Sequence, residues 1–287
     1  MTESLRDLKL RIKSIEKTQK ITRAMEMVSS AKLSRVKAAL FLERPYFTGL
    51  EAMFGRLLTS ARTAKNPFFD KRAGTGKAAL CVITSDSGLC SVYNYAMIRF
   101  AENFINSRGR DNVALIVVGR EGFNYFKKYN FSVINQYMEL YGRYSDEISK
   151  RLYSDMTGLF LRREIDEAYI GYTHFTSTLR LKPTIEKFLN LERKVPPGGN
   201  IEYIIEPDME TLTEEMARAY LSEKIRLVLL DAFTSEHASR MIAMKMATDN
   251  ARDLIDTLTL LRNKARQAAI TKDILEVVMS AEALKGQ

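Results

Sequence analysis

Residues Asp208–Lys285 read DMETLTEEMARAYLSEKIRLVLLDAFTSEHASRMIAMKMATDNARDLIDTLTLLRNKARQAAITKDILEVVMSAEALK, 78 residues without one glycine or proline. At about 1.5 Å per residue, a continuous helix here would be about 117 Å long. Helices of globular proteins average only about 11 to 12 residues, and no ordinary core can cover such a rod. Its second half carries a stripe at Met244, Ala247, Ala251, Leu254, Leu258, Leu261, Ala265, Ala268, Lys272, Leu275 and Met279. The steps alternate three and four, the spacing of a coiled-coil seam, and only Lys272 breaks it. Alanines along the stripe let a partner helix come close. Arg252, Arg262, Lys264 and Arg266, interleaved with Asp249, Asp253 and Asp256, supply a solvated side.

The other end of the chain has the same character. Met1–Arg44 also lacks glycine and proline. Leu5, Leu8, Ile12 and Ile15 step by three and four, the stripe slips at Thr18-Gln19, and it resumes at Ile21, Met25 and Val28. The spacing predicts a second long helix, about 66 Å if unbroken. Pro45 is expected to kink or interrupt it. Helical texture returns over Tyr46–Ala64, and Lys65-Asn66-Pro67 ends it. Neither long helix has another partner of its length in the chain, so the two are expected to pair as an antiparallel coiled coil.

Between them the texture changes. Ala78–Thr84 and Val113–Val118 are apolar runs of strand length, with Phe131–Ile134, Ala168–Phe175 and Ile201–Ile205 as further strands. Helices are expected over Tyr93–Ile105, from Gly119 to Tyr129, and over Ser145–Phe160, where Ser145 stands at the cap with Asp146 and Glu147 in the first turn. The segments Ala73-Gly74-Thr75-Gly76 and Pro196-Pro197-Gly198-Gly199 read as turns. Strands alternating with helices point to an α/β layer with a largely parallel sheet. The expected fold is α/β: a compact, Rossmann-like domain (65–207) between an N-terminal coiled-coil helix (1–64) and a C-terminal one (208–287).

Composition narrows the function. Apolar residues make up 46% and charged residues 28%, the balance of a folded, soluble chain. No apolar run reaches the roughly 18 residues needed to cross a bilayer, and Met1–Arg11 does not read as a signal peptide. Cys81 and Cys90 are the only cysteines, expected as reduced thiols in a strand and its following turn; with only His174 and His237 they do not build a metal site. The net charge is +9, concentrated at the start: residues 1–44 hold 11 Lys and Arg against 5 Asp and Glu. That basic helix suits an acidic protein partner, a nucleic acid or anionic lipid. Residues 1–40 contain no aromatic side chain, whereas nucleic-acid surfaces usually add stacking rings.

Signals of catalysis are weak. Gly74-Thr75-Gly76-Lys77 lacks both the preceding strand and the following Ser or Thr of a phosphate loop. Gly119-Arg120-Glu121-Gly122 falls short of a dinucleotide fingerprint. His237 is expected as a satisfied histidine on the seam. Asp86 follows the first strand, where α/β sheets bind ligands, but a turn residue bonding its own backbone is the stronger reading. The chain is expected to have no catalytic residue, no cofactor and no metal.

Two terminal stretches and one central turn are familiar. LKLRIKSIEKTQKITRAMEMVSSAK (Leu8–Lys32), SEHASRMIAMKMATDNA followed by NKARQAAITKDILEVV (within Ser235–Ala283), and Thr84-Ser85-Asp86-Ser87-Gly88-Leu89-Cys90 resemble motifs of the gamma subunit of F-type ATP synthase. The resemblance implies a non-catalytic central rotor shaft. It would couple ion flow through the membrane sector to ATP synthesis or hydrolysis at the beta subunits by rotation. The implied partners are the alpha and beta subunits of F1, the epsilon subunit and the c-ring, with no nucleic acid and no direct membrane insertion. The implied location is peripheral, on the cytoplasmic face of the bacterial inner membrane. By motif position, the partner-contact surface comprises Lys20, Ile21, Met25, Met27, Val28 and Lys32 on the first helix. On the last helix it comprises Arg240, Met241, Met244, Asn263, Arg266, Gln267, Ile270 and Thr271. The basic and amide members are expected to meet acidic loops of the catalytic subunit, and the apolar members to bind the two helices together. The chain departs from the family at Ser87, where Arg is usual, at Ser91-Val92, where Gly-Gly is usual, and at Ser280, where Gly is common. The extra segment with a redox cysteine pair found in chloroplast members has no counterpart, so no thiol switch is expected. The alternative is a basic coiled-coil scaffold or nucleic-acid-binding protein.

Overall fold

The computed structural model describes residues 4–60, 66–70, 72, 76–192, 206 and 208–285. The chain forms two compact units, one made of Met1–Val28 with Met241–Gln287 and the other of Ser29–Arg240.

Two helices dominate: α1 spans Leu5–Ser60 and α5 spans Met209–Lys285. Each starts on a side-chain cap. The Ser4 hydroxyl accepts from the Asp7 N–H at 3.2 Å, and Asp208 Oδ1 accepts from the Thr211 N–H at 2.9 Å. Pro45 does not interrupt α1. It lies on an exposed face, where the carbonyl that loses its backbone partner, that of Phe41, can turn to water.

In the first unit, Leu8 and Ile12 pack on Leu258, and Thr22 meets Thr248. Numbers rise along α1 as they fall along α5, so the pair is antiparallel. In the second unit the same two helices pair through Glu43 with Arg226 and Phe54 with Tyr220.

The seam on α1 runs from Leu8 through Ile12, Ile15, Gln19, Thr22, Glu26, Ser29, Leu33, Val36, Leu40, Glu43, Phe47, Leu50 and Phe54 to Leu57, all buried or half-buried. Its steps alternate four and three without a slip, a strict seven-residue repeat. The slip expected at Thr18-Gln19 is therefore absent. Gln19, Thr22, Glu26 and Ser29 continue the seam in polar guise, while Ile21 and Val28 stand in solvent. The α5 seam is also corrected at alternate positions. Met244, Ala251, Leu258 and Ala265 face inward as expected, but Thr248, Ile255 and Arg262 take the places given to Ala247, Leu254 and Leu261.

The second unit contains a five-stranded sheet in the order β3-β2-β1-β4-β5. β1 (Ala78–Ile83), β2 (Val113–Val118), β3 (Val133–Tyr137) and β4 (Glu167–Ser177) run parallel, and β5 (Arg180–Leu189) returns antiparallel to β4. The crossovers are α2 (Tyr93–Arg108), α3 (Arg120–Lys128) and α4 (Asp146–Leu161). Ser145 does occupy the cap position of α4, although its side chain makes no capping bond.

Residues alternating along the strands build two cores. Leu80, Val82, Leu115 and Val117 face α2 and α3. Ala79, Cys81, Ile83, Ile116, Val118 and Ile170 face α4, the Phe54 end of α1 and the Ala217–Phe233 stretch of α5. Two strand expectations change. The third strand lies at Val133–Tyr137 rather than Phe131–Ile134, because Phe131 packs edge-on against Phe126 of α3, with ring centroids 5.2 Å apart. β5 was not expected: Pro183 and its charged neighbours disguise it, and an edge strand tolerates both. The expected strand Ile201–Ile205 and the Pro196–Gly199 turn lie outside the described residues.

Candidate interaction surfaces

An open α/β sheet ordinarily receives a ligand beyond the carboxyl ends of its strands, where the crossovers diverge. Here α5 occupies that place. Thirteen successive residues, Val228–Arg240, are buried, so this stretch is enclosed on every side rather than along one stripe. Its polar side chains hold the loops of the sheet. Ser235 Oγ donates to the Thr173 carbonyl at 2.8 Å, Ser239 Oγ to the Cys90 carbonyl at 2.6 Å, and Arg240 Nη2 to the Ser87 carbonyl at 2.7 Å. The Tyr93 hydroxyl donates to the Ala232 carbonyl at 3.1 Å. Arg240 also pairs with Glu236 at 2.7 Å one turn back.

His237 faces this loop cluster. Its Nε2 donates to the Gly142 carbonyl at 3.0 Å, while Nδ1 has no partner among the described residues. The expectation of a satisfied seam histidine is thus corrected: the ring is half-satisfied and points at the loop after β3. Gly142 has φ +66, and a Cβ there would come within 2.5 Å of Nε2, so the contact demands glycine.

Asp86 is neither a free ligand-binding carboxylate nor bonded to its own turn. Its Oδ1 accepts from the N–H groups of Arg120 and Glu139 at 3.1 and 3.0 Å, and Oδ2 from that of Tyr141 at 2.8 Å. It staples three loops together. Gly119 and Gly122 are explained by packing: the Thr84 hydroxyl accepts from the Gly122 N–H at 3.0 Å, and a Cβ on Gly119 would come within 2.4 Å of the Thr84 carbonyl oxygen. Gly76 donates its N–H to Asp166 at 2.8 Å. Among the described residues no cluster of three potential metal ligands occurs, and no helix is long and apolar enough to cross a membrane. Both cysteines are free and buried.

The residues named from sequence as partner contacts fall into three environments. Lys20, Ile21, Met27, Val28, Arg266, Gln267, Ile270 and Thr271 are exposed. Met25, Lys32, Met241 and Asn263 are half-buried, and Met244 and Arg240 are buried. Lys32 donates to the Tyr141 carbonyl at 3.3 Å, and burial, helped by Arg143 and Arg240, lowers its pKa. Of the apolar members, Met244 is buried at an inward-facing position of α5. Against the expectation that the apolar members bind the helices together, Ile21, Met27 and Val28 face solvent, since the seven-residue repeat turns them outward, and Ile270 is exposed in the stretch of α5 that outruns α1.

The far end of α5 forms a further surface. α1 begins at Leu5, so the end of α5 outruns it, and every residue from Ile270 to Ala281 is exposed. Ile274, Leu275, Val277, Val278 and Met279 are all more than half exposed, and a contiguous apolar patch of this kind marks a contact with something else. Exposed Lys9, Lys13, Lys17, Lys20 and Arg23 on α1 make the flank of the same unit basic.

A family model described as ATP synthase matches residues 4–284. The chain is 34% identical over 290 residues to an ATP synthase gamma chain of Chlorobium phaeobacteroides, covering 99% of each. It is 37% identical over 281 residues to one from Moorella thermoacetica, covering 98% of this chain and 99% of that one. Among solved structures, a chain of the Euglena gracilis mitochondrial ATP synthase (OSCP/F1/c-ring) superposes with a TM-score of 0.68 at 16% identity, covering 98% of this chain and 94% of that one. A chain from the Tetrahymena thermophila central stalk and c-ring gives 0.60 at 20% identity, covering 79% of this chain and 99% of that one. These two likenesses speak for the fold.

Proposed function

The chain belongs to the ATP synthase gamma chain family, and on that premise we propose how its parts serve as the central rotor shaft of F1. The subunit is not catalytic; it couples ion flow through the membrane sector to ATP synthesis or hydrolysis at the beta subunits. Its partners are the alpha and beta subunits, the epsilon subunit and the c-ring, and it is a peripheral membrane protein. The finer placement, on the cytoplasmic face of a bacterial inner membrane, is part of the proposal. So is the division of labour, with residues 1–64 and 208–287 as shaft helices and 65–207 as the α/β domain.

The observation that carries the reading is the unpaired, apolar end of α5 from Ile270 onward. A ring of three equivalent catalytic sites can be made unequal only by something asymmetric on its axis. A two-helix rod with one basic helix and one over-long helix is asymmetric by construction. Turning a site from 1:99 to 99:1 between two states takes about 5.5 kcal/mol of differential interaction. Continuous paired helices can hold that difference at a fixed angle, which a flexible linker could not. The apolar tip can turn in an apolar sleeve without ion pairs to break. Exposed Lys20, Arg266 and Gln267 are proposed to meet acidic loops of the ring, with Ile21, Met25, Met27, Val28, Lys32, Arg240, Met241, Met244, Asn263, Ile270 and Thr271 completing or supporting that surface.

The test is affinity capture of the full chain from detergent-solubilised membranes. Alpha, beta and epsilon subunits should co-purify in a complex whose ATP hydrolysis drives ion transport. A chain that comes down without them, or with nucleic acid in a salt-sensitive manner, would overturn the reading.

A further inference from the structure

Asp231 of α5 is 3% exposed, and its carboxylate is shared between three elements. Oδ1 accepts from the Phe175 N–H at 2.8 Å and from Arg44 Nη2 at 3.0 Å, and Oδ2 is bonded by His174 Nδ1 at 2.8 Å. The same Arg44 nitrogen also donates to the Phe175 carbonyl. One buried carboxylate therefore joins both long helices, through Arg44 on α1 and its own place on α5, to strand β4 of the sheet. No other carboxylate among the described residues is bonded to α1, α5 and the sheet together. The α/β domain has bonds to α5 elsewhere, from Ser235 to β4 and from Ser239 to the turn after β1, but those reach one helix only.

We infer that the Asp231–Arg44–His174 node is the joint at which torque passes between the α/β domain and the pair of shaft helices. The inference rests on the rotor reading. Turning the sheet about the helix pair by even a fraction of a turn would separate the carboxylate from its partners. It would leave a buried charge without compensation, which is strongly unfavourable. The node thus resists twist in a way that apolar packing, which can slide, does not. Asp231, Arg44 and His174 are positioning residues: none touches nucleotide, and each acts through the angle it fixes.

The experiment uses the whole complex carrying Asp231→Asn, reconstituted in vesicles, with ATP hydrolysis and ATP-driven ion uptake measured on the same preparation. The expected result is hydrolysis close to wild type with ion uptake per ATP reduced several-fold. A probe on the α/β domain should also show a broadened angular distribution during rotation. Unchanged uptake per ATP with an unchanged angular spread would overturn the joint while leaving the rotor reading intact. If the unsubstituted chain itself fails to couple hydrolysis to uptake, it is the rotor reading that falls. Should Asp231→Asn not assemble, His174→Ala, at a half-exposed position, takes its place; unchanged coupling and angular spread there would equally overturn the proposal.

Discussion

The hydroxyls of Thr22 on α1 and Thr248 on α5 lie 2.8 Å apart across the helix pair, both buried. Each also reaches its own helix, Thr22 donating to the Gln19 carbonyl at 3.0 Å and Thr248 lying 2.8 Å from the Met244 carbonyl. A polar contact at one seam level fixes register at some expense of apolar burial. Thr248→Val should cost about 1 kcal/mol, the net worth of one such bond. The double Thr22→Val, Thr248→Val variant should recover most of that loss, because no hydroxyl is left facing a methyl group. Denaturant melts of the three proteins check this; equal loss in single and double variants would mean the pair carries no register.

The corrected seam can be read by truncation. Leu258 is 3% exposed and Leu261 is 47% exposed, though both are leucines on the same helix. Leu258→Ala should destabilise the isolated chain by about 2 to 4 kcal/mol. Leu261→Ala should cost about 0.5 kcal/mol or less. Equally large costs at both positions would restore the seam expected from sequence, which held Leu258 and Leu261 alike.

Ser91 sits at φ +53 in the turn after β1, a left-handed conformation that costs an L-residue about 1 to 2 kcal/mol relative to glycine. Ser91→Gly should therefore raise stability by up to about 1 kcal/mol, part of the gain being returned to the freer unfolded chain. Thermal melting resolves this, and a lowered midpoint would contradict it.

Two buried groups give opposite pH dependences. Burial first, and the neighbouring Glu223 carboxyl next, push Glu43 up to about 7 from 4.5, against the pull of Arg226. A raised folded-state pKa means its contribution is full below about 4.5 and is lost as pH rises through about 7. Burial lowers His237 to about 4, so its contribution is present above about 6.5 and is lost as pH falls towards 4. Glu43→Gln should therefore melt higher than wild type near pH 8 and level with it near pH 4. Melting curves across that range decide it, and parallel curves would show that Glu43 is not the group responsible.

On the shaft itself, Arg266→Ala and Gln267→Ala alter exposed side chains. Each should leave the isolated chain's melting within about 0.5 kcal/mol of wild type while lowering ATP synthesis in the assembled complex. Full synthesis in both variants would remove them from the coupling surface.

The long helices were legible because the absence of glycine and proline is a plain signal, and the α/β alternation because apolar runs bounded by turns leave few options. The register was not. Between Gln19 and Ser29 the seam is polar, so an eye following apolar residues moves to Ile21 and Val28 and lands on the outside of the helix. That same slip hid which contact candidates are exposed. β5 went unread because an edge strand with Pro183 need not alternate cleanly. The enclosed stretch Val228–Arg240 was unreadable in kind, since residues such as Asp231, Glu236 and Arg240 are buried only by virtue of loops far away in sequence.

The two buried thiols have a practical use. Cys81 lies within β1 and Cys90 in the turn that follows, and burial raises the pKa of both, which keeps the nucleophilic thiolate scarce. A cysteine introduced at Leu179, 84% exposed at the tip of the β4–β5 hairpin, would then be the only thiol to react quickly with a maleimide dye. The native sequence can thus serve unaltered as a background for fluorescent labelling.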